Sequence, residues 1–185
     1  MSPLLIVILA LATMTIFWLI ASYNRFVHLN AMLKEGWSGI DVQLKRRYDL
    51  IPNLVSTVQG YSLHEKNIIE DIVRARAASM GASSITEKAA AEQGLTQSLK
   101  TLFALAEQYP NLKANENFLA LQKELGSLEQ ELQLARRYYN GTARNYNIAV
   151  TTFPSNIIAG PFGFVPTPYF EVTSSDERDV PKVNF

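Results

Sequence analysis

The sequence predicts an all-α protein. An N-terminal transmembrane helix should run into a long antiparallel, up-down bundle of four helices, two long and two shorter, followed by an extended proline-rich segment. Three observations predict it. Leu4 to Ala21 is an apolar run of 18 residues without a charge. Beyond it, apolar residues recur at steps of three and four to about residue 150. From Thr151 that period stops, and four prolines follow by Val172. The same marks divide the chain into an anchor at 1–22, a helical bundle at 23–150 and a tail at 151–185.

The anchor rests on length and flanks. A spanning helix needs roughly 20 mostly apolar residues, with about 17 as the lower bound. Only Thr13 and Thr15 interrupt the run, and Trp18 and Tyr23 sit where an interfacial aromatic belt belongs. A cleaved signal peptide is the alternative. Against it, no Lys or Arg precedes the run, and the run is longer than a typical signal core.

No break separates Ala21 from Ser22, so the first helix is expected to continue to about Gly60. Its stripe is Phe26, Leu29, Leu33, Trp37, Ile40, Leu44, Tyr48, Ile51, Val55 and Val58. Pro52 lies inside it and predicts a kink near Tyr48–Pro52, unless Asp49 caps a new helix there. After a turn at Gly60-Tyr61, Ser62-Leu63-His64-Glu65 reads as a capping box for a second helix carrying Ile68, Ile69, Ile72 and Val73, which Gly81 ends. Ser84-Ile85-Thr86-Glu87 is a second such box. It opens a third helix carrying Leu95, Leu99, Leu102, Ala106 and Tyr109, ended by Pro110. Asn115 caps the fourth. Its seam (Phe118, Leu121, Leu125, Leu128, Leu132, Ala135, Tyr139, Thr142, Tyr146) alternates steps of three and four without a fault.

The long helices extend roughly 55 Å each beyond the anchor at 1.5 Å per residue, and the short pair cannot cover them fully. The membrane-proximal hairpin therefore leaves Tyr23, Phe26, Leu33, Trp37, Tyr138, Tyr139 and Tyr146 needing cover. The tail, a second copy of the chain or lipid would supply it, and a homo-oligomer is expected. Antiparallel pairing with residues 23 and 150 level puts Asp41 near Arg136 and Arg137, so an ion pair is expected there. A solvated flank charge is the plain alternative.

Composition narrows the chemistry. Lys+Arg and Asp+Glu balance at 17 each, so no global field favours nucleic acid. The absence of cysteine excludes disulfides and thiolate chemistry. His64-Glu65 lacks the second histidine of a zinc helix, since position 68 is Ile68. No metal, cofactor or catalytic residue is expected. Lys45, Arg46 and Arg47 are a candidate contact for phospholipid or an acidic partner, with a solvated helix face as the plain reading.

The run Trp37 to Val55, WSGIDVQLKRRYDLIPNLV, closely resembles the signature of LemA proteins. So do Tyr23-Asn24, Gly60-Tyr61 with His64-Glu65, Ala135 to Asn140 (ARRYYN), and Phe153-Pro154-Ser155. The resemblance covers the chain from Tyr23 to about Phe170. It implies a bacterial envelope protein whose helical bundle is membrane-attached, and it brings no known reaction. Some relatives look like lipoproteins, with a cysteine just before the Tyr-Asn pair. Ser22 stands there in this chain, so the apolar helix must do the anchoring. Those relatives place the bundle outside the cytoplasm, whereas Arg25 and Lys34 pull weakly inward. The balance leans outward. The expected role is a structural scaffold oligomer on the inner membrane. An adaptor for a membrane protease or another envelope protein is the alternative, and a hydrolase the remote one.

Overall fold

The computed structural model describes residues 2–61 and 66–171. These form six α-helices and no strand: α1 (Pro3–Gln59), α2 (Lys66–Gly81), α3 (Ile85–Ala106), α4 (Pro110–Lys113), α5 (Glu116–Thr151) and α6 (Asn156–Ala159). Two are long, with 57 and 36 residues, and two are shorter, with 16 and 22. The all-α expectation holds, with α4 and α6 as additional single turns.

No glycine or proline falls between Leu4 and Glu35, so nothing interrupts the backbone ladder where apolar sequence gives way to polar. The apolar stretch and the amphipathic stretch are one element, α1. It is the one described helix long and apolar enough to cross a membrane. Both hydroxyls of the apolar run are satisfied by the helix itself: Thr13 Oγ1 donates to the Leu9 carbonyl and Thr15 Oγ1 to that of Leu11, each at 2.8 Å.

Helix α1 also continues through Pro52, so Asp49 opens no new helix. Proline has no N–H for the carbonyl four residues back, which is that of Tyr48. Arg76 of α2 supplies the missing donor, with Nε 2.8 Å from the Tyr48 oxygen. The expected box at Ser84 is present in full: its side chain accepts from the Glu87 N–H, and the Glu87 carboxylate accepts from the Ser84 N–H at 3.2 Å. These bonds, with those of Ser83, hold the Glu87 carboxyl below its ordinary range. The box expected at Ser62–Glu65 lies outside the described residues. Asn115 caps α5, its Oδ1 accepting from the Phe118 N–H at 2.9 Å. Pro110 differs from expectation. Helix α3 has already stopped at Ala106, and Pro110 opens α4 at a position where a missing N–H costs nothing.

The described residues form two compact units, and α1 and α5 contribute to both. The first joins Met1–Asp41 to Leu134–Tyr169, and the second is Val42–Gln133 together with Phe170. In the first, Phe26, Leu33 and Ile40 of α1 are buried, as are Tyr139, Ala143, Tyr146 and Val150 of α5 and Ile158 and Ala159 of α6. In the second, Leu44, Ile51, Leu54 and Val58 of α1 share the interior with Ile69 and Ile72, Leu95, Leu99 and Leu102, and Leu125, Leu128 and Leu132. Helix α2 packs along α3. Over residues 151–171 the tail is less extended than expected, because α6 and the turn to Gly163 (φ +76°) precede an extended stretch, and its remainder at 172–185 lies outside the described residues.

Candidate functional site

Two clusters stand out, one in each unit. In the second unit, Arg47 is buried on α1, one turn after Leu44 and one before Ile51. Its guanidinium lies 3.3 Å from Glu92 Oε2 on α3 and 3.2 Å from Glu129 Oε2 on α5. Its other terminal nitrogen donates to Thr96 Oγ1 at 3.0 Å. The second Glu92 oxygen accepts from the Tyr48 hydroxyl at 2.5 Å. Glu92 is fully buried, so both of its oxygens are held by charged or short bonds. Burial, reinforced by the bond to Glu92 and that carboxylate's charge, drives the Tyr48 phenol far above its ordinary 10.0. Arg46 is exposed and meets Glu131 at 3.1 Å. One cation thus ties α1, α3 and α5 together, with Tyr48 as a second tie from α1 to α3. Such a site locks a fold. Its groups are directed at one another.

In the first unit, α1 and α5 approach closely at Gly36. A Cβ there would stand 3.2 Å from the Tyr139 Cα and 3.3 Å from Thr142 Oγ1. Trp37 meets the Tyr139 ring edge-on, with centroids 5.7 Å apart. The tail closes the rest. Phe164 stacks on Phe26 at 5.0 Å, and Phe162 and Phe164 flank Tyr23 at 5.1 and 5.9 Å. Polar bonds set the register. Asn147 donates to the Thr167 carbonyl at 2.9 Å and accepts from the Thr167 N–H at 2.8 Å, much as a neighbouring strand would. The Tyr139 hydroxyl donates to the Pro168 carbonyl at 2.9 Å. Burial raises the Tyr139 phenol, against a bond from Thr167, and raises that of Tyr146, against a bond from the Val165 backbone.

The tail therefore covers Phe26, Tyr139 and Tyr146, and it touches Tyr23. Leu33 is buried and Trp37 half-buried. Tyr138 remains exposed at 46%. Within the basic run the expectation needs correcting at Arg47. It forms neither a solvated face nor a lipid contact, because it lies on the stripe of Leu44, Tyr48 and Ile51. Lys45 and Arg46 are exposed. Asp41 and Arg137 are exposed and Arg136 is half-buried, all in the first unit. Sequence reasoning missed Glu92, although a lone carboxylate three residues after Ala89 and three before Leu95 lies on the apolar stripe of α3. It missed Asn147 too, where no local pattern marks the partner 20 residues on.

Known proteins place the chain. It is 26% identical over 179 residues to magnetosome protein MamQ 2 of Paramagnetospirillum magneticum, covering 83% of this chain and 66% of that one. It is also 26% identical over 178 residues to magnetosome protein MamQ of Magnetospirillum gryphiswaldense, covering 82% of this chain and 65% of the relative. The chain thus spans just under two thirds of the length of these relatives. It is 24% identical over 161 residues to protein LemA of Metamycoplasma hominis, covering 85% of this chain and 72% of the relative. The LemA family model matches residues 36–185, which take in the Arg47 cluster, the Gly36–Tyr139 approach and the tail that covers it. The chain belongs to the LemA family.

Proposed function

We propose that this protein is a single-pass scaffold of the bacterial inner membrane, attached through the first part of α1 and assembled from copies of itself, and that it works by binding, not by catalysis. Helix α1 supports the attachment. Its apolar stretch is exposed throughout, has its hydroxyls internally satisfied, and passes without a linker into the first unit.

The observation that carries self-assembly is a stripe on α5. Leu134, Tyr138 and Ile148 are 59%, 46% and 53% exposed, and their spacing of four and then ten residues puts them on one side of the helix. The tail covers the opposite side and leaves this one open. Three exposed apolar side chains on one side, with Gly141 and Asn145 between them, favour a protein partner over water, and a second copy offers the same surface. The test is mass photometry of the whole chain in mild detergent, with the Leu134→Glu and Ile148→Glu variants. Discrete oligomers that both variants disperse are the expected result. A strict monomer overturns self-assembly. Stoichiometric recovery of one other envelope protein on the same stripe would install the adaptor reading instead.

A further inference from the structure

We infer that the turn between α5 and the extended tail is a second membrane contact, seated in the headgroup layer beside the point where α1 leaves the bilayer. This rests on the reading of α1 as an anchor. The first observation is position. Phe153, Pro154 and Ser155 share one cleft with Trp18, Ser22 and Arg25 of α1, and Arg25 is the one charged side chain that lines it. The turn therefore lies beside the end of the apolar stretch, where an interfacial aromatic belt forms.

The second is composition. Residues 145–170 contain no Asp, Glu, Lys, Arg or His, and the same holds for residues 2–24. Two charge-free stretches distant in sequence thus meet at one level, with Arg25 just past the end of the first, where a cation can face lipid phosphate. The third is exposure. Phe153, Ile157 and Phe162 are 73%, 62% and 59% exposed. Their neighbours Ile158 and Ala159 are buried. Ser155 Oγ, 2.7 Å from the Ala149 carbonyl, pins the start of the turn, and the Phe164 N–H donates to the Ala159 carbonyl at 2.9 Å. The three apolar side chains are therefore held outward by an ordered turn.

Lipid fits this surface better than water or a charged partner does. Amphipathic elements bury their apolar side about 5–10 Å into the headgroup boundary. Irregular backbone does not enter the hydrocarbon itself, which sets the depth limit. Pro154 and Pro161 ease the seating by removing two N–H groups that would otherwise need partners.

The absence of native cysteine makes site labelling direct. The full chain is reconstituted in phosphatidylcholine–phosphatidylglycerol vesicles with a nitroxide at Phe153→Cys, Ile157→Cys or Phe162→Cys. Ala10→Cys serves as the bilayer control and Lys34→Cys as the aqueous one, with helicity checked for each. Collision with oxygen and with a water-soluble nickel chelate is then measured. The expected result is oxygen-rich, nickel-poor labels at 153, 157 and 162, between the two controls and nearer Ala10. Nickel access equal to Lys34, with Ala10 still shielded, overturns the second contact and leaves the anchor standing. Nickel access at Ala10 overturns both. Shielding from both agents with dipolar broadening between copies would make a second chain the occupant, and would overturn the proposal as well.

Discussion

The two units reach a closed interior by different means. In the second, helices α1, α2, α3 and α5 surround an apolar core pinned by a buried cation and two carboxylates. In the first, two helices do not suffice, and an irregular charge-free segment completes the enclosure with rings and an Asn–backbone pairing. The difference teaches where specificity comes from. Buried charges tolerate one geometry, because a misplaced partner leaves a desolvated ion. Aromatic cover is more forgiving, so the first unit fixes its register with backbone-directed bonds from Asn147 and Tyr139.

The sharpest way to break the comparison is to remove one charge. Glu92→Leu leaves Arg47 buried with a single partly exposed partner, and should destabilise the second unit by about 3–5 kcal/mol in denaturant unfolding. The Arg47→Leu/Glu92→Leu double variant should recover most of that loss. No recovery would mean that packing, not charge, makes the site.

Alkaline pH is the next lever, since each unit buries phenols with raised pKa values. Raised folded-state values mean that stability is intact below the ordinary phenol pKa. It falls as pH climbs from about 10 toward those values, because the unfolded chain loses its protons first. Tyr48→Phe should flatten the decline of the second unit, and Tyr139→Phe with Tyr146→Phe that of the first, as followed by hydrogen exchange in each. A decline unchanged by any of the three substitutions would assign alkaline unfolding to other groups.

Arg76→Met orphans the Tyr48 carbonyl and should cost about 1–3 kcal/mol. In a Pro52→Ala background, where the helix supplies its own N–H, the same change should cost less. Equal costs in both backgrounds would show that Arg76 acts elsewhere.

Two glycines of α1 test the close approach in the first unit. Gly39 has open space beside it, so Gly39→Ala should stabilise by about 0.5–1 kcal/mol through helix propensity. At Gly36 the new methyl meets the α5 backbone, and Gly36→Ala should forfeit that gain or destabilise. Matching gains at both positions would show that the helices can part without penalty. The smallest effect is expected at Asp41 with Arg136 or Arg137, the pair expected from the helix register. Because Asp41 is exposed, a double-mutant cycle with either arginine should give a coupling of about 0.2–1 kcal/mol.

Much of the fold was legible because its signals are local. The 18-residue apolar run, the Ser84–Glu87 box, the Asn115 cap and the seam from Phe118 to Tyr146 each depend on residues within a turn or two of one another. The antiparallel register was legible too. Levelling residues 23 and 150 puts Gly36 opposite residue 137, and it meets Tyr138 and Tyr139. At the sites the same logic ran short. Arg47 reads as one of three surface cations, because lysine and arginine are mostly exposed and its partners lie 45 and 82 residues away.

By itself, then, the amino-acid sequence determined helix content, the apolar start of α1 and the family, since periodicity, capping and a dense motif are properties of neighbouring residues. Only the tertiary structure decided that Arg47 turns inward, that Arg76 completes the ladder broken by Pro52, and that the tail covers Phe26 and Tyr146. Those outcomes depend on which distant groups share a buried volume, and burial turns an ordinary side chain into one that must find its partner.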